Sequence, residues 1–497
     1  MALLSGAFTS LAFPKFNLSF FGWISLIPLL FILLEKKPKQ SFLLGWLAGF
    51  TYYALLLYWI PYVPAHYGNL SLGFSFVIYI FLVLFLGLLW AFFSLLLTKL
   101  YRSFPKIVFL LIPFLWVSME YILTYAFTGF PWCLLGYSQY RNIYFIQLAS
   151  ITGVYGLSFF LVLLQSMFIF SIKFRKRYPF FVALGLILCI HLGGLLSLKE
   201  ISPDKTTFKA SVIQGNVSSD IYWDQISTQE ISELFNKHLE LSRNSLERGA
   251  ELIIWPEFSV PLCFSCPEGI YVNFKEKLFK FVKDTSCTLV LGTNETNITE
   301  EKTSYYNTAI CLGPGQSANH YYKMHLVPFG EYTPYKKIFF FIEKMTHAIG
   351  DITPGNEHIL HQFKTLTFGS PICYEIIFPN LVRKFSKIGA NFIVTITNDG
   401  WYGKSSAPYQ HFSMAVLRAI ENRRYLLRAA TTGISGIIDP YGRILSQSEL
   451  MTQTFILGDI TPSTKKSIYT QLGDVLPLVS LTLTIIFFIL AVIKRKK

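Results

Sequence analysis

Apolar residues are divided very unevenly along this 497-residue chain. Residues 1–197 and 473–493 are overwhelmingly apolar, whereas 198–472 have the mixed composition of a globular domain. This division constrains the fold more than any other feature, because about 20 consecutive apolar residues are what a helix needs to cross the roughly 30 Å of a bilayer's hydrocarbon. Runs at 42–62, 72–97, 107–126, 153–172, 179–197 and 473–493 have that length, as does 17–34. Residues 2–13 read as a first, short or tilted helix, since they lack the basic leader and small-residue cleavage site of a signal peptide. The expectation is therefore eight spans: seven before a large polar block and one after it.

Charge supports this layout. The net charge is +14, although only 14% of residues are charged, against about 25% in an ordinary soluble protein. The basic residues gather in clusters that abut apolar runs: Lys36, Lys37 and Lys39; Lys99, Arg102 and Lys106; Lys173, Arg175, Lys176 and Arg177; and Lys494 to Lys497. Clusters of this kind set membrane topology rather than form a nucleic-acid-binding face. The intervening loops at 63–71 and 127–152 carry only Arg141. Keeping the basic loops in the cytoplasm puts both termini inside and the 198–472 block outside.

Within that block, strand-like runs are expected at 209–214, 252–255, 288–293, 307–312, 318–323, 366–373, 392–397, 428–432, 436–438 and 454–459. Helical patterns lie at 228–248, 271–285 and 406–422. The alternation predicts an α/β domain with a central sheet and flanking helices. Chemistry-bearing residues fall where strands end: Glu257 after Trp255-Pro256, Lys323 before Met324-His325, and Cys373 within Ile372-Cys373-Tyr374-Glu375. The carboxyl ends of strands are where α/β sheets place their sites. A thiol, a carboxylate to take its proton and an ammonium to stabilise a thiolate and an oxyanion together suit nucleophilic acyl transfer.

Three short stretches carry a resemblance. Trp255-Pro256-Glu257, the Lys323 strand and Ile372-Cys373-Tyr374-Glu375 resemble the signature regions of the carbon–nitrogen hydrolase (nitrilase) superfamily. Together with the apolar runs, the whole chain resembles the apolipoprotein N-acyltransferases of bacterial inner membranes. Supporting stretches are Gln214-Gly215-Asn216 with Trp223-Asp224, Lys323 to Tyr332, Asn398 to Gly403 and Arg418 to Arg423. The resemblance implies a four-layer αββα nitrilase-like domain (198–472) on an eight-helix transmembrane bundle (1–197 and 473–497). It implies Glu257 as base, Lys323 as oxyanion stabiliser and Cys373 as nucleophile. Glu331, Tyr374 and Glu375 are implied as supporting residues, and Trp223 in substrate handling. The implied reaction moves a fatty acyl chain from a phospholipid, phosphatidylethanolamine foremost, to a diacylglyceryl-apolipoprotein. It proceeds through a thioester, in a monomer, with no metal, nucleotide or nucleic-acid partner. One departure is visible: the family commonly has an arginine shortly after its membrane glutamate, where this chain has Ile122 and Leu123.

Two membrane-half features leave alternatives open. Glu120 lies in an apolar run, where a carboxylate is costly enough to suggest a role, or else it is a helix-end residue near the interface. The Gly129 to Tyr140 segment reads as an interfacial aromatic belt, or as a lip that receives lipid. A run at Phe339-Phe340-Phe341-Ile342 reads as a loop that dips toward lipid, or as a core helix. Among the cysteines, Cys189, Cys287 and Cys311 read as packing residues, and Cys263 with Cys266 as a local disulfide or a pair of thiols.

Overall fold

The computed structural model describes residues 1–68, 70–199, 207–217, 227–259, 263–266, 270–298, 303–335, 337 and 352–496. Trp223 and the Phe339–Ile342 run lie outside them.

The polar block folds around two six-stranded sheets. The strands are β1 (Phe208–Gln214), β2 (Leu252–Ile254), β3 (Thr288–Ile298), β4 (Thr303–Leu312), β5 (Asn319–Tyr322), β6 (Leu360–Phe363), β7 (Leu366–Gly369), β8 (Phe392–Thr397), β9 (Leu426–Ala430), β10 (Gly436–Ile438), β11 (Ile444–Gln447) and β12 (Thr454–Ile460). The first sheet runs β12-β1-β2-β3-β4-β5 and the second β11-β10-β9-β8-β7-β6. In each, the central strands are parallel, β1-β2-β3 and β7-β8-β9, with antiparallel strands outside them.

Parallel strands covered on both faces need apolar side chains on both, and β2, β8 and β9 are buried at every position. The two sheets face one another across a core that includes Val212, Ile254, Val290, Phe368, Val394 and Ile396. Helices Thr228–Leu246 and Ile270–Thr285 cover the outer face of the first sheet through Phe235, Phe274 and Leu278. Helices Pro379–Ile388 and Ala407–Asn422 lie on the outer side of the second, through Val382, Met414 and Leu417. The reading of the sequence missed β6 and helix Pro379–Ile388. Both are short, and Pro379 sits in the first turn of the helix, where proline is favoured.

Among the described residues, five helices are long and apolar enough to cross a membrane: Leu72–Ser103, Val108–Tyr125, Val154–Phe174, Tyr178–Leu198 and Val475–Lys494. The other three expected spans are shorter, broken or less apolar. Residues 2–13 form helix Ala2–Leu11, and 17–34 divide into a 3₁₀ turn (Ser19–Trp23) and helix Ile27–Leu33. Residues 42–62 take in most of helix Pro38–Leu56, which has 19 residues but is not apolar enough to count among those five. Cys189 is exposed on helix Tyr178–Lys199 rather than packed, because that helix lies at the periphery with few residues turned inward. Cys287 and Cys311 are buried, and Cys263 and Cys266 are disulfide-bonded.

The aromatic segment after helix Val108–Tyr125 is not an interfacial belt. Trp132 through Tyr140 are all buried, because they pack against helix Val154–Phe174 and beneath helix Ala407–Asn422. That helix is the join between the halves: every residue except Tyr409 is buried. Its Gln410 side chain accepts from Trp59 Nε1 (3.3 Å) and Trp132 Nε1 (2.8 Å) and donates to the carbonyls of Pro14 and Leu56 (both 3.2 Å). Farther along, Arg418 donates to Tyr137 Oη at 2.8 Å, while Glu421 accepts the Val154 N–H at 2.9 Å. Glu120 is likewise an interior residue, not a solvated helix end. Its Oε1 accepts from Trp116 Nε1 (2.9 Å) and from the Leu135 N–H (2.8 Å), tying the segment to its helix.

Candidate active site

Glu257, Lys323 and Cys373 are far apart in sequence and meet between the C-terminal ends of the two sheets. β2 ends at Ile254, and Trp255-Pro256 carry the chain to Glu257, which is 2% exposed. Space is tight there. A Cβ on Gly292 of β3 would lie 2.6 Å from the Glu257 Cα, so only glycine lets the two backbones approach this closely. Lys323 follows β5 and is 1% exposed. Cys373 follows a bridge between Ile372 and Ile396 and opens a 3₁₀ turn, Cys373–Ile377. Its φ of +50° is left-handed, a conformation that costs a non-glycine residue on the order of 1 kcal/mol and turns its side chain out of the strand direction.

One hydrogen-bond network links the carboxylate and the ammonium. Lys323 Nζ donates to Glu331 Oε1 at 2.9 Å and lies 3.4 Å from Glu257 Oε1. Asn307 Nδ2 donates to both of those oxygens, at 2.7 Å to Glu257 and 2.8 Å to Glu331. The remaining oxygens accept main-chain N–H groups: Glu257 Oε2 from Asn398 and Glu331 Oε2 from Val327. Burial works against the Lys323 charge, but Glu331 and Glu257 outweigh it and raise the ammonium above its ordinary pKa. It stays protonated at any physiological pH.

The thiol is held the other way. Burial, then the Glu257 charge, push Cys373 above the ordinary thiol value, against the pull of Lys323 and the Thr397 hydroxyl. The resting nucleophile is therefore protonated, so a base must take its proton as it attacks.

Glu375 fixes the geometry of both loops. Its Oε1 accepts the N–H groups of Met324 (2.7 Å) and His325 (3.1 Å), and Oε2 accepts that of Ile372 (2.7 Å). Tyr321 Oη donates to both oxygens, at 2.8 and 3.0 Å. The residue after Lys323 and the residue before Cys373 are thus fastened to one side chain. Burial pushes this carboxyl up to about 7, against those N–H donors. Tyr374 is turned toward the membrane half, donating to the Gly129 carbonyl at 3.1 Å.

Every expected site residue within the described residues, namely Glu257, Lys323, Glu331, Cys373, Tyr374 and Glu375, belongs to this cluster. Sequence reasoning missed Asn307, which opens the expected run 307–312 but sits inside β4 with no motif to mark it. It also missed the role of Asp399, although the Asn398 to Gly403 stretch was noticed. Asp399 accepts from Arg428 Nη2 at 2.8 Å and lies 2.9 Å from His411 Nδ1. Burial opposes its charge, but Arg428 and His411 overcome that and hold its carboxyl at about 2.

A buried carboxylate–ammonium pair beside a thiol, at the ends of two apposed sheets, defines a carbon–nitrogen hydrolase, and the family model for carbon-nitrogen hydrolases matches residues 209–469. Solved structures matched by part of this chain include an amidase from Nesterenkonia sp. (18% identity, TM-score 0.39, covering 53% of this chain and 92% of that one). Another is a member of branch 10 of the nitrilase superfamily from Saccharomyces cerevisiae (20% identity, TM-score 0.41, 55% and 98%).

Within that class, the chain belongs to the apolipoprotein N-acyltransferase family. The model for the apolipoprotein N-acyltransferase N-terminal domain matches residues 5–167. The apolipoprotein N-acyltransferase of Geobacter metallireducens is 37% identical over 96% of this chain and 91% of its own length. The namesakes from Wigglesworthia glossinidia brevipalpis and Pseudomonas putida are 34% identical (99% and 96%) and 32% identical (95% and 92%).

Proposed function

We propose that this chain transfers a fatty acyl group from a phospholipid to the α-amine of an apolipoprotein's N-terminal diacylglyceryl-cysteine, with Cys373 carrying the acyl group as a thioester. The observation that carries this reading is the Lys323–Glu257 pair, 3.4 Å apart and almost wholly buried, beside a protonated thiol in a chain of this family.

The geometry suits two successive attacks. In the first, Glu257 takes the Cys373 proton while the sulfur bonds to the ester carbonyl carbon of the lipid. The oxyanion forms beside the Lys323 ammonium. Collapse breaks the acyl C–O bond, and Glu257 returns the proton to the departing glycerol oxygen, releasing a lysophospholipid. In the second, the neutral α-amine attacks the thioester carbonyl and gives a proton to Glu257. The C–S bond breaks, the thiolate recovers the proton, and an amide leaves. Glu331 and Asn307 orient the base and the ammonium, and Glu375 sets the spacing of the two loops. Tyr374 and Trp223 contribute to substrate handling in this reading. Phosphatidylethanolamine is the proposed donor.

The domain plan that accompanies this reading is a four-layer catalytic unit (198–472) outside the cell's inner membrane, carried by seven spans before it and one after. Both termini are in the cytoplasm, and one chain holds a whole site. Support for the orientation comes from the basic clusters at Lys36–Lys39, Lys99–Lys106, Lys173–Arg177 and the C-terminal tail.

Incubating the purified full chain with phosphatidylethanolamine vesicles and weighing it by mass spectrometry tests the proposal. One fatty-acyl increment is expected on Cys373, absent in Cys373→Ser and discharged by a diacylglyceryl lipopeptide. An adduct at any other residue, or release of ammonia from small amides with no lipid adduct, would replace this reading with a different chemistry.

A further inference from the structure

The membrane half reaches the nucleophile through a chain of contacts that the proposed reaction does not yet use. His411, on helix Ala407–Asn422, is fully buried, and its Nε2 lies 3.2 Å from the carbonyl oxygen of Cys373. A carbonyl can only accept, so Nε2 carries the hydrogen. The other ring nitrogen then carries a lone pair and accepts from Arg428 Nη2 at 3.0 Å, and Asp399, 2.9 Å from that nitrogen, holds Arg428 in place through their own pairing at 2.8 Å. Above the imidazole lies the indole of Trp132, nearly parallel at 25° with ring centres 5.6 Å apart. Trp132 is 1% exposed and belongs to the segment that leaves helix Val108–Tyr125. Its own N–H is taken by Gln410, the residue before His411.

The same segment touches the site twice more. The Thr128 carbonyl is 3.0 Å from His325 Nε2, and the Gly129 carbonyl accepts from Tyr374 Oη. Residues 128–132 thus contact the neighbours of Lys323 and of Cys373, and the imidazole bonded to Cys373 itself.

We infer that His411 and Trp132 are positioning residues: His411 holds the Cys373 main chain in its left-handed conformation through the carbonyl hydrogen bond, and the Trp132 ring, supplied by the membrane half, holds His411. A left-handed cysteine relaxes unless its surroundings over-determine it. Relaxation would swing the sulfur away from Glu257 and Lys323. Misplacing a reacting atom by about 1 Å costs on the order of 10²-fold in rate. The inference rests on the reading of Cys373 as acyl carrier. It adds that docking against residues 128–132 is part of what makes that thiol competent.

The test measures the rate of thioester formation on full-length protein with phosphatidylethanolamine vesicles, by intact-protein mass spectrometry over a range of lipid concentrations. His411→Phe keeps a ring and loses the donor. His411→Gln places an amide N–H at similar reach. Loss on the order of 10²-fold is expected for H411F in the maximal rate, with the half-saturating lipid concentration unchanged, and H411Q recovers most of it. Trp132→Leu is expected to slow acylation and Trp132→Phe, which keeps a ring over His411, to restore it. In the W132L/H411F double variant the two losses do not multiply, because they act through one contact.

Wild-type acylation by H411F, an H411Q variant as slow as H411F, or losses that multiply would each overturn the inference. If H411F does not accumulate as folded protein, the Trp132 pair decides: a fast W132L overturns it, and a slow W132L beside a fast W132F upholds it. Failure of the wild-type chain to form any Cys373 adduct would instead sink the parent reading, and the Cys373→Ser control separates the two.

Discussion

The Glu375 carboxylate folds back on its own chain and accepts the N–H of Ile372 at 2.7 Å, so the residue that leads into the nucleophile is fixed by a side chain three positions later. The same carboxylate accepts the Met324 and His325 N–H groups, which makes it a clasp between the loops that deliver Cys373 and Lys323. Glu375→Gln would turn a donor toward one of these N–H groups. Leaving buried polar groups unpaired costs about 1–3 kcal/mol each, so thermal unfolding of the variant should fall by several degrees and acylation should be lost together with stability.

Asn307 should behave differently. Its amide donates to Glu257 and Glu331 at once. Asn307→Asp puts a third carboxylate against two others, which disfavours the charged form of the base. Acyl-enzyme formation should fall by roughly 10²-fold or more. Asn307→Ala should fall less, which stopped-flow or quenched mass spectrometry can rank.

Removing the ammonium is expected to be more severe. Lys323→Met leaves Glu257 and Glu331 buried without their cation, and breaking a buried ion pair from one side costs about 3–5 kcal/mol. The double variant with Glu331→Gln should recover part of the stability but none of the acylation. A calorimetric scan and the adduct assay, run side by side, distinguish these effects.

Two buried imidazoles set a pH dependence of stability. Burial lowers His361 from its ordinary 6.5 to about 3, with a contribution from His320, and lowers His238 to about 4, with Lys237 adding to the effect. Below pH 6.5 the unfolded chain binds protons that the folded one refuses, so stability is whole above that pH and is lost as pH falls toward these values. Among the described residues, neither His361 ring nitrogen has a hydrogen-bond partner. His361→Leu should therefore be tolerated at pH 7 and should flatten the fall in unfolding temperature between pH 7 and 5.

Gly129 is held at φ +72°, and a Cβ there would meet the Thr124 carbonyl oxygen at 2.3 Å and the Phe378 ring at 3.0 Å. Gly129→Ala should displace the segment that receives the Tyr374 hydroxyl. Slower acylation is expected while Tyr374→Phe, which removes only the hydroxyl, has the smaller effect.

Much of the site was legible because Glu257 and Cys373 each follow buried apolar residues, whereas Lys323 follows β5, in which only Tyr321 is buried, and was marked by its motif. Asn307 did not stand out, because a polar residue inside β4 looks like any strand residue with one wet face. The Asp399–His411–Arg428 group was illegible for another reason: its members come from a turn, a helix and β9, and only the fold brings them together. The Gly129–Tyr140 segment was misread as a belt because aromatic residues next to an apolar helix suit either an interface or a core, and composition does not distinguish them. Span counting met a similar limit, since helix Pro38–Leu56 and the broken 17–34 stretch pack inward on other helices rather than presenting uniform apolar cylinders.

Helix Ala407–Asn422 has no free side. One flank carries the second sheet, and the other rests on Trp59, Trp132, Tyr137 and Val154 of the apolar half. An excised 198–472 fragment would therefore bare a broad greasy floor and strand the charges of Arg418 and Glu421 at its rim. Anyone hoping to shrink this protein to a soluble catalyst would have to rebuild that floor first.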